Sequence, residues 1–277
     1  MRKCGPTAIE ILRPPTGRRL RFVLFDFDGT LSLIREGWPD VMIPMMVEYL
    51  RPLAAGLSEE RLRDRMAADV AATTGEQTIY QMIRFAHRVS EFGGTPLEPR
   101  AYKAEYNRRL LARIAGRREA LASGRTAPDA MLLAGSRRML ETLAGRGLAL
   151  GLVSGTDEPY VREEAGLLDI ARYFGPHIYG ALEDYEVSGK KKVVERLLAE
   201  SPVRGEELLV FGDGYVEIEA VKAVGGYAVG VASDEAARGG RIHAWKRDRL
   251  LRAGADMIIP DFSEHRKLVS LLFAGDK

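Results

Sequence analysis

Two aspartates one residue apart, Asp26 and Asp28, follow the apolar run FVLF and precede Gly29 and Thr30. Carboxylates this close repel, and each raises the pKa of the other. Two kinds of chemistry make such a pair useful. One is a bound cation; the other is a division of labour in which one carboxylate attacks or ligates and the other carries a proton. Residues two apart in a strand project to the same side, so a turn at Gly29 aims both into one crevice. Gly29 permits backbone conformations that other residues resist, and the Thr30 hydroxyl can hold the turn.

These residues need a scaffold, and the chain supplies one. Short β-rich runs occur at 20–28 (LRFVLFDFD), 148–154 (LALGLVS), 208–213 (LLVFGD), 227–232 (YAVGVA) and 257–260 (MIIP). Most are continuously apolar, the pattern of strands covered on both faces of a parallel sheet. Helical patterns lie between them, most clearly at 135–145, 190–200 and 216–224. The alternation predicts an α/β fold, a Rossmann-like, doubly wound, mostly parallel sheet. Ligands of such sheets sit beyond the carboxyl ends of the strands. Three of the runs deliver a polar residue there: Asp26, Ser154 and Asp213.

The segment 33–134 reads differently. It holds no convincing strand, and helices are expected at 38–50, 58–73, 76–92 and 98–122. Ser58, followed by Glu59 and Glu60, marks a helix start. An inserted, all-helical cap domain over 33–134 is therefore predicted, with 1–32 and 135–277 forming the α/β core. The chain has 277 residues and a formal charge of +2, from 41 basic and 39 acidic side chains. That balance offers no argument for nucleic acid as partner. No run approaches the ~18 apolar residues of a membrane helix, and no signal peptide is legible, so a cytoplasmic protein is expected. The single cysteine, Cys4, excludes an intramolecular disulfide framework and a Cys-based zinc site.

The motifs together resemble the haloacid dehalogenase superfamily. Asp26-Phe27-Asp28-Gly29-Thr30-Leu31 resembles its first motif, and Val153-Ser154-Gly155 its second. Lys190 in Ser188-Gly189-Lys190-Lys191-Lys192 resembles the third, with Lys191 and Lys192 as neighbouring alternatives. Phe211 to Glu217 (FGDGYVE) resembles the fourth, with Glu217 where many members carry Asp. The position of the helical insert resembles a C1-type cap.

The resemblance implies a phosphatase that uses Mg²⁺ and an aspartyl-phosphate intermediate. Asp26 would be nucleophile and metal ligand, and Asp28 would protonate the leaving alcohol and lend its backbone carbonyl to the metal. An ordinary Asp pKa of about 3.9 must rise for that role. Asp213 would be a further ligand, and Glu217 would orient metal waters. Ser154 and Lys190 would bind the phosphoryl oxygens. Thr30 and the backbone of Gly155 and Thr156 are additional phosphate-site candidates, and Ser154 is also suited to cap a helix. Arg35 and Trp38, just inside the cap, are candidates for the leaving group, and 157–161 for the pocket wall. The expected substrate is a small phosphorylated metabolite, a sugar phosphate or a phosphoglycolate-like acid. The same motifs would serve a sugar phosphomutase of the β-phosphoglucomutase type, or a non-catalytic binding protein on the same fold. The Arg-rich stretch 233–252 reads as a solvated loop followed by a surface helix.

Overall fold

The computed structural model describes residues 8–185 and 188–274; Cys4 lies outside them. The elements run β1 (Glu10–Ile11), β2 (Phe22–Asp26), α1 (Pro39–Leu50), α2 (Glu59–Thr73), α3 (Thr78–Glu91) and α4 (Pro99–Ala122). They continue with α5 (Ser136–Gly145), β3 (Ala149–Asp157), α6 (Glu158–Leu167), β4 (Ile178–Ala181), α7 (Lys190–Glu200) and β5 (Leu208–Gly212). The last are α8 (Tyr215–Ala223), β6 (Tyr227–Val231), α9 (Ala244–Arg252), β7 (Met257–Ile259) and α10 (His265–Leu272).

The seven strands form one sheet in the order β1-β7-β6-β5-β2-β3-β4. Only β1 runs antiparallel, against β7. From β2 the chain moves outward through β3 and β4, then returns to place β5 on the other side of β2. The order therefore reverses around β2, and a crevice opens at its carboxyl end. Successive side chains of a strand face opposite ways. Val23 and Phe25 accordingly join the core on one face of the sheet, with Leu209 and Phe211. Phe22 and Leu24 join the other, with Leu208 and Val210. Burial on both faces explains why these runs lack polar alternation.

All four helices α1 to α4 lie between β2 and β3 in the chain. Ser58 caps α2, its hydroxyl accepting from the Arg61 N–H. Met42, Met45 and Met46 of α1 are buried in the same core that covers Phe25. The two crossings between sheet and helices are bonded to each other: Leu33 N–H donates to Met131 O and Leu133 N–H to Leu31 O, both at 2.9 Å. Ser32 and Leu132 form the bridge between these bonds.

Four elements lie outside the sequence-based expectations: β1, β4, α6 and α10. The third strand also runs on to Asp157, three residues past Ser154. Its register against β4 shifts between Val153 and Asp157. Among the described residues no helix is long and apolar enough to cross a membrane.

Candidate active site

Asp26 ends β2 and is buried. The chain then turns sharply, with the N–H groups of Leu31 and Ser32 both donating to Phe27 O, at 2.9 and 2.8 Å. Gly29 in this turn has φ +77°, and a Cβ there would lie 2.5 Å from Asp213 Oδ2. Both the backbone conformation and the close approach require glycine. Thr30 is fully buried, and its hydroxyl faces Asp213 Oδ1 at 3.5 Å. It stands behind Asp213 and does not line the cavity described below, so the structure does not bring it to the place expected for a phosphate contact.

Asp28 is met from β3. Ser154 Oγ donates to Asp28 Oδ2 at 3.2 Å and Thr156 Oγ1 donates to the same oxygen at 2.9 Å. No group among the described residues hydrogen-bonds to Oδ1, which is buried; the nearest cation is Arg35, with Nε 3.9 Å away. Burial pushes the Asp28 carboxyl above its ordinary pKa, against the pull of Arg35 and the two hydroxyls. Because β3 continues through Thr156, Ser154 caps no helix; α6 begins only at Glu158. Residues 155 and 156 are extended strand rather than a helix-start turn, and the Thr156 N–H is spent on Ser154 Oγ at 3.0 Å. Asp157 is held by Asn107 of α4 at 3.0 Å and by Lys103, so it joins the helices to the sheet instead of walling the cavity.

Lys190 is the first residue of α7 and is buried, whereas Lys191 and Lys192 are exposed. Its ammonium lies 2.8 Å from Asp26 Oδ1 and 2.8 Å from Glu217 Oε2. Burial would strip that proton, but the two carboxylates outweigh it and hold Lys190 charged. Glu217 turns its other oxygen to the Gly214 N–H, at 2.7 Å. Asp213 is paired with Lys246 of α9, 2.8 Å from Oδ2. Burial alone would raise Asp213, and Lys246 holds it below its ordinary value instead.

Lys246 belongs to the stretch expected to be solvated. It is a missed residue of the site, separated from Asp213 by 33 positions with no local signal to connect them. Arg35 is likewise more constrained than its sequence setting suggests. Its guanidinium donates twice to Glu164 of α6, Nε to Oε2 at 2.9 Å and Nη2 to Oε1 at 2.8 Å.

These groups line a cavity of about 90 Å³. Asp26, Asp28, Ser154, Gly155, Thr156, Lys190 and Asp213 line it from the sheet side. Arg35, Trp38, Thr78, Gln81 and Tyr106 line it from the helical side, together with Thr74, Gly75 and Glu76 of the α2–α3 connection. That connection is strapped down from the sheet side. Arg249 of α9 donates to Ala72 O and Thr74 O, both at 2.9 Å, and to Ala71 O. Its guanidinium also lies over the Tyr215 ring, 4.6 Å from the centroid, and the Tyr215 hydroxyl donates to Glu76. Arg249→Ala is expected to loosen residues 71–76, seen as faster amide hydrogen exchange there with the sheet amides unchanged. Unchanged exchange across 71–76 would show that the strap holds without Arg249.

Three carboxylates suit a hard divalent cation. Oxygens of Asp26, Asp213 and Glu217 lie within 4.8 Å of one another, and the Asp28 carboxylate is not in this group. Burial, with Glu217 and Asp213 adding to it, pushes Asp26 well above its ordinary pKa despite Lys190. Clustered carboxylate oxygens are the donors a hard divalent cation takes, so the donor set fits one.

Over 95 residues the chain is 38% identical to a phosphoglycolate phosphatase of Salmonella choleraesuis (strain SC-B67), a segment that is 33% of this chain and 36% of that protein. Two solved structures share the fold. One is a predicted phosphatase from Clostridium acetobutylicum, with TM-score 0.59 and 15% identity, over 91% of this chain and 99% of the other. The second is a predicted phosphoglycolate phosphatase from Haemophilus somnus 129pt, with TM-score 0.57, 18% identity and the same coverage. The model of the haloacid dehalogenase-like hydrolases matches residues 20–225, well over half of the sequence and every motif placed above. The chain belongs to the haloacid dehalogenase-like hydrolase family.

Proposed function

We propose that this protein is a phosphomonoesterase acting on a small phosphorylated metabolite, with Mg²⁺ as its cofactor. The observation that carries the reading is the convergence of Asp26, Asp28, Ser154, Lys190 and Asp213 on one cavity of about 90 Å³. Its carboxylate, hydroxyl and ammonium lining suits a phosphoryl group, and the reading includes neither a nucleic acid nor a membrane surface as partner. Residues 33–134 serve as the cap over a core of 1–32 and 135–277, and a cytoplasmic setting belongs to the same reading.

Asp26 is the nucleophile: its carboxylate oxygen bonds to phosphorus as the bond to the leaving oxygen breaks, giving an aspartyl-phosphate. Asp28 hands its proton to that leaving oxygen, then takes one from the water that hydrolyses the intermediate. Its raised pKa suits a group that must begin protonated. Ser154 and Thr156 fix the Asp28 rotamer through Oδ2. Lys190 orients Asp26 and supplies positive charge where the phosphoryl oxygens gather. Asp26 and Asp213, with the Asp28 backbone carbonyl, would hold the cation, and Glu217 would stand behind it. A cation held there would screen the phosphate charge and ease the approach of an anionic nucleophile.

Sugar phosphates and phosphoglycolate-like acids are the substrates to try first. The similarity over 95 residues to a phosphoglycolate phosphatase supports including the acids. The test is release of inorganic phosphate from a panel of both classes, with Mg²⁺ and after chelation. Metal-dependent release is expected from at least one compound. Isomerisation of a hexose 1-phosphate without release would replace the hydrolase reading by a mutase.

A further inference from the structure

Every carboxylate of the cation cluster already has an oxygen committed to an internal donor. Lys190 holds Asp26 Oδ1 at 2.8 Å. Glu217 gives Oε2 to Lys190 and Oε1 to the Gly214 N–H, so both of its oxygens are engaged. Asp213 is held differently: Oδ2 by Lys246, a residue outside all four motifs, and Oδ1 by the long contact of the Thr30 hydroxyl at 3.5 Å. The Lys246 ammonium meets three acceptors: Asp213 Oδ2 at 2.8 Å, Glu235 Oε1 at 2.8 Å and Ser233 Oγ at 3.0 Å. Three acceptors use all three of its protons. Ser233 in turn donates to Gly29 O at 2.8 Å. Asp213 Oδ2 is thus gripped by an ammonium on one side and pressed against Gly29 on the other, where even a methyl group would lie 2.5 Å away.

We propose that Lys246 is a positioning residue that makes Asp213 a one-oxygen ligand and thereby sets which divalent cation the site prefers. Mg²⁺ takes few carboxylates, one oxygen each, and keeps its waters in an octahedron. Ca²⁺ is larger and takes six to eight oxygens, often both from one carboxylate. With Oδ2 of Asp213 occupied by Lys246, two-oxygen ligation by Asp213 requires breaking a charged hydrogen bond in a buried setting. The restriction weighs on Ca²⁺ and leaves Mg²⁺ untouched. This inference rests on the reading that the site holds a divalent cation.

The test measures binding rather than turnover. Mn²⁺ bound to the purified full chain is followed by its paramagnetic resonance signal and displaced by Mg²⁺ or by Ca²⁺. Replacing Lys246 alone would also leave Glu235 and Asp213 facing each other uncompensated, and every cation would then bind more tightly. The informative variant is therefore K246M with E235Q, which keeps the net charge and frees Asp213 Oδ2. It is expected to shift the Mg²⁺ to Ca²⁺ affinity ratio about tenfold toward Ca²⁺, the scale of changes made behind a metal ligand. E235Q alone keeps Lys246 on Asp213 and should keep the wild-type ratio, which provides a reading even if the double variant does not fold. An unchanged ratio in the double variant, or the same shift in E235Q alone, overturns the role of Lys246. Absence of any Mn²⁺ binding by the wild type overturns the cation reading itself.

Discussion

Asp26→Asn is expected to reduce phosphate release on the order of 10⁴-fold while leaving the fold and the melting temperature nearly unchanged. The amide keeps the size of the carboxylate and can accept from Lys190 through its oxygen, and Lys190 retains Glu217 at 2.8 Å. What is lost is the anionic oxygen that attacks phosphorus, for which the site holds no substitute. Asp28 cannot take over, because Ser154 and Thr156 fix it through Oδ2. The measurement is the rate of phosphate release from the best substrate of the panel, with circular dichroism to confirm the fold. A residual rate within tenfold of wild type would remove Asp26 from the nucleophile's role. A rate lost together with the fold would show that the Asp26–Lys190–Glu217 group is structural first.

The second large effect concerns stability. Glu164→Ala is expected to destabilise the protein by about 3–5 kcal/mol, because it leaves the Arg35 guanidinium buried without its bidentate partner. Glu164 has no exposed surface and Arg35 only 5%. At about 2–4 °C per kcal/mol for a chain of this size, the melting temperature should fall by about 10 °C. Asp28 is the remaining carboxylate near Arg35, at 3.9 Å, so the orphaned cation would draw on the proposed proton carrier as well. The double variant Arg35→Met with Glu164→Leu removes both charges and fills the space. It should recover most of the lost stability, since apolar replacement of a buried ion pair is often close to neutral. A single variant that melts within 2 °C of wild type would mean that water reaches Arg35 and screens it.

What could be read from sequence was local. The apolar runs around Leu24, Leu152 and Val210 mark strands because burial on two faces leaves no room for polar alternation. The polar residues that end them, Asp26, Ser154 and Asp213, come to the crevice because parallel strands share one carboxyl end. Lys190 could be preferred over Lys191 and Lys192 from its place at the helix start, and the structure buries only Lys190 of the three. The unread parts depend on distance along the chain. Glu164 meets Arg35 across 129 positions, and Lys246 and Arg249 face inward from a helix whose composition is that of a solvated surface. No periodicity encodes such meetings. The edge strands β1 and β4 escaped notice for a different reason: two and four residues are too few to show any period.

The paired crossings at 31–33 and 131–133 limit how the helical block can move against the sheet. Two separate tethers would allow it to swivel about either one, to twist, or to drift sideways. Hydrogen bonds in both directions between the tethers join them into a single ribbon, and a ribbon bends readily in only one sense. The block of α1 to α4 is thereby joined to the sheet by one paired ribbon centred on Ser32 and Leu132, not by two independent strands of chain. The alignment of the two sides of the cavity is therefore supported at the tethers as well as by contacts such as Arg35 with Glu164.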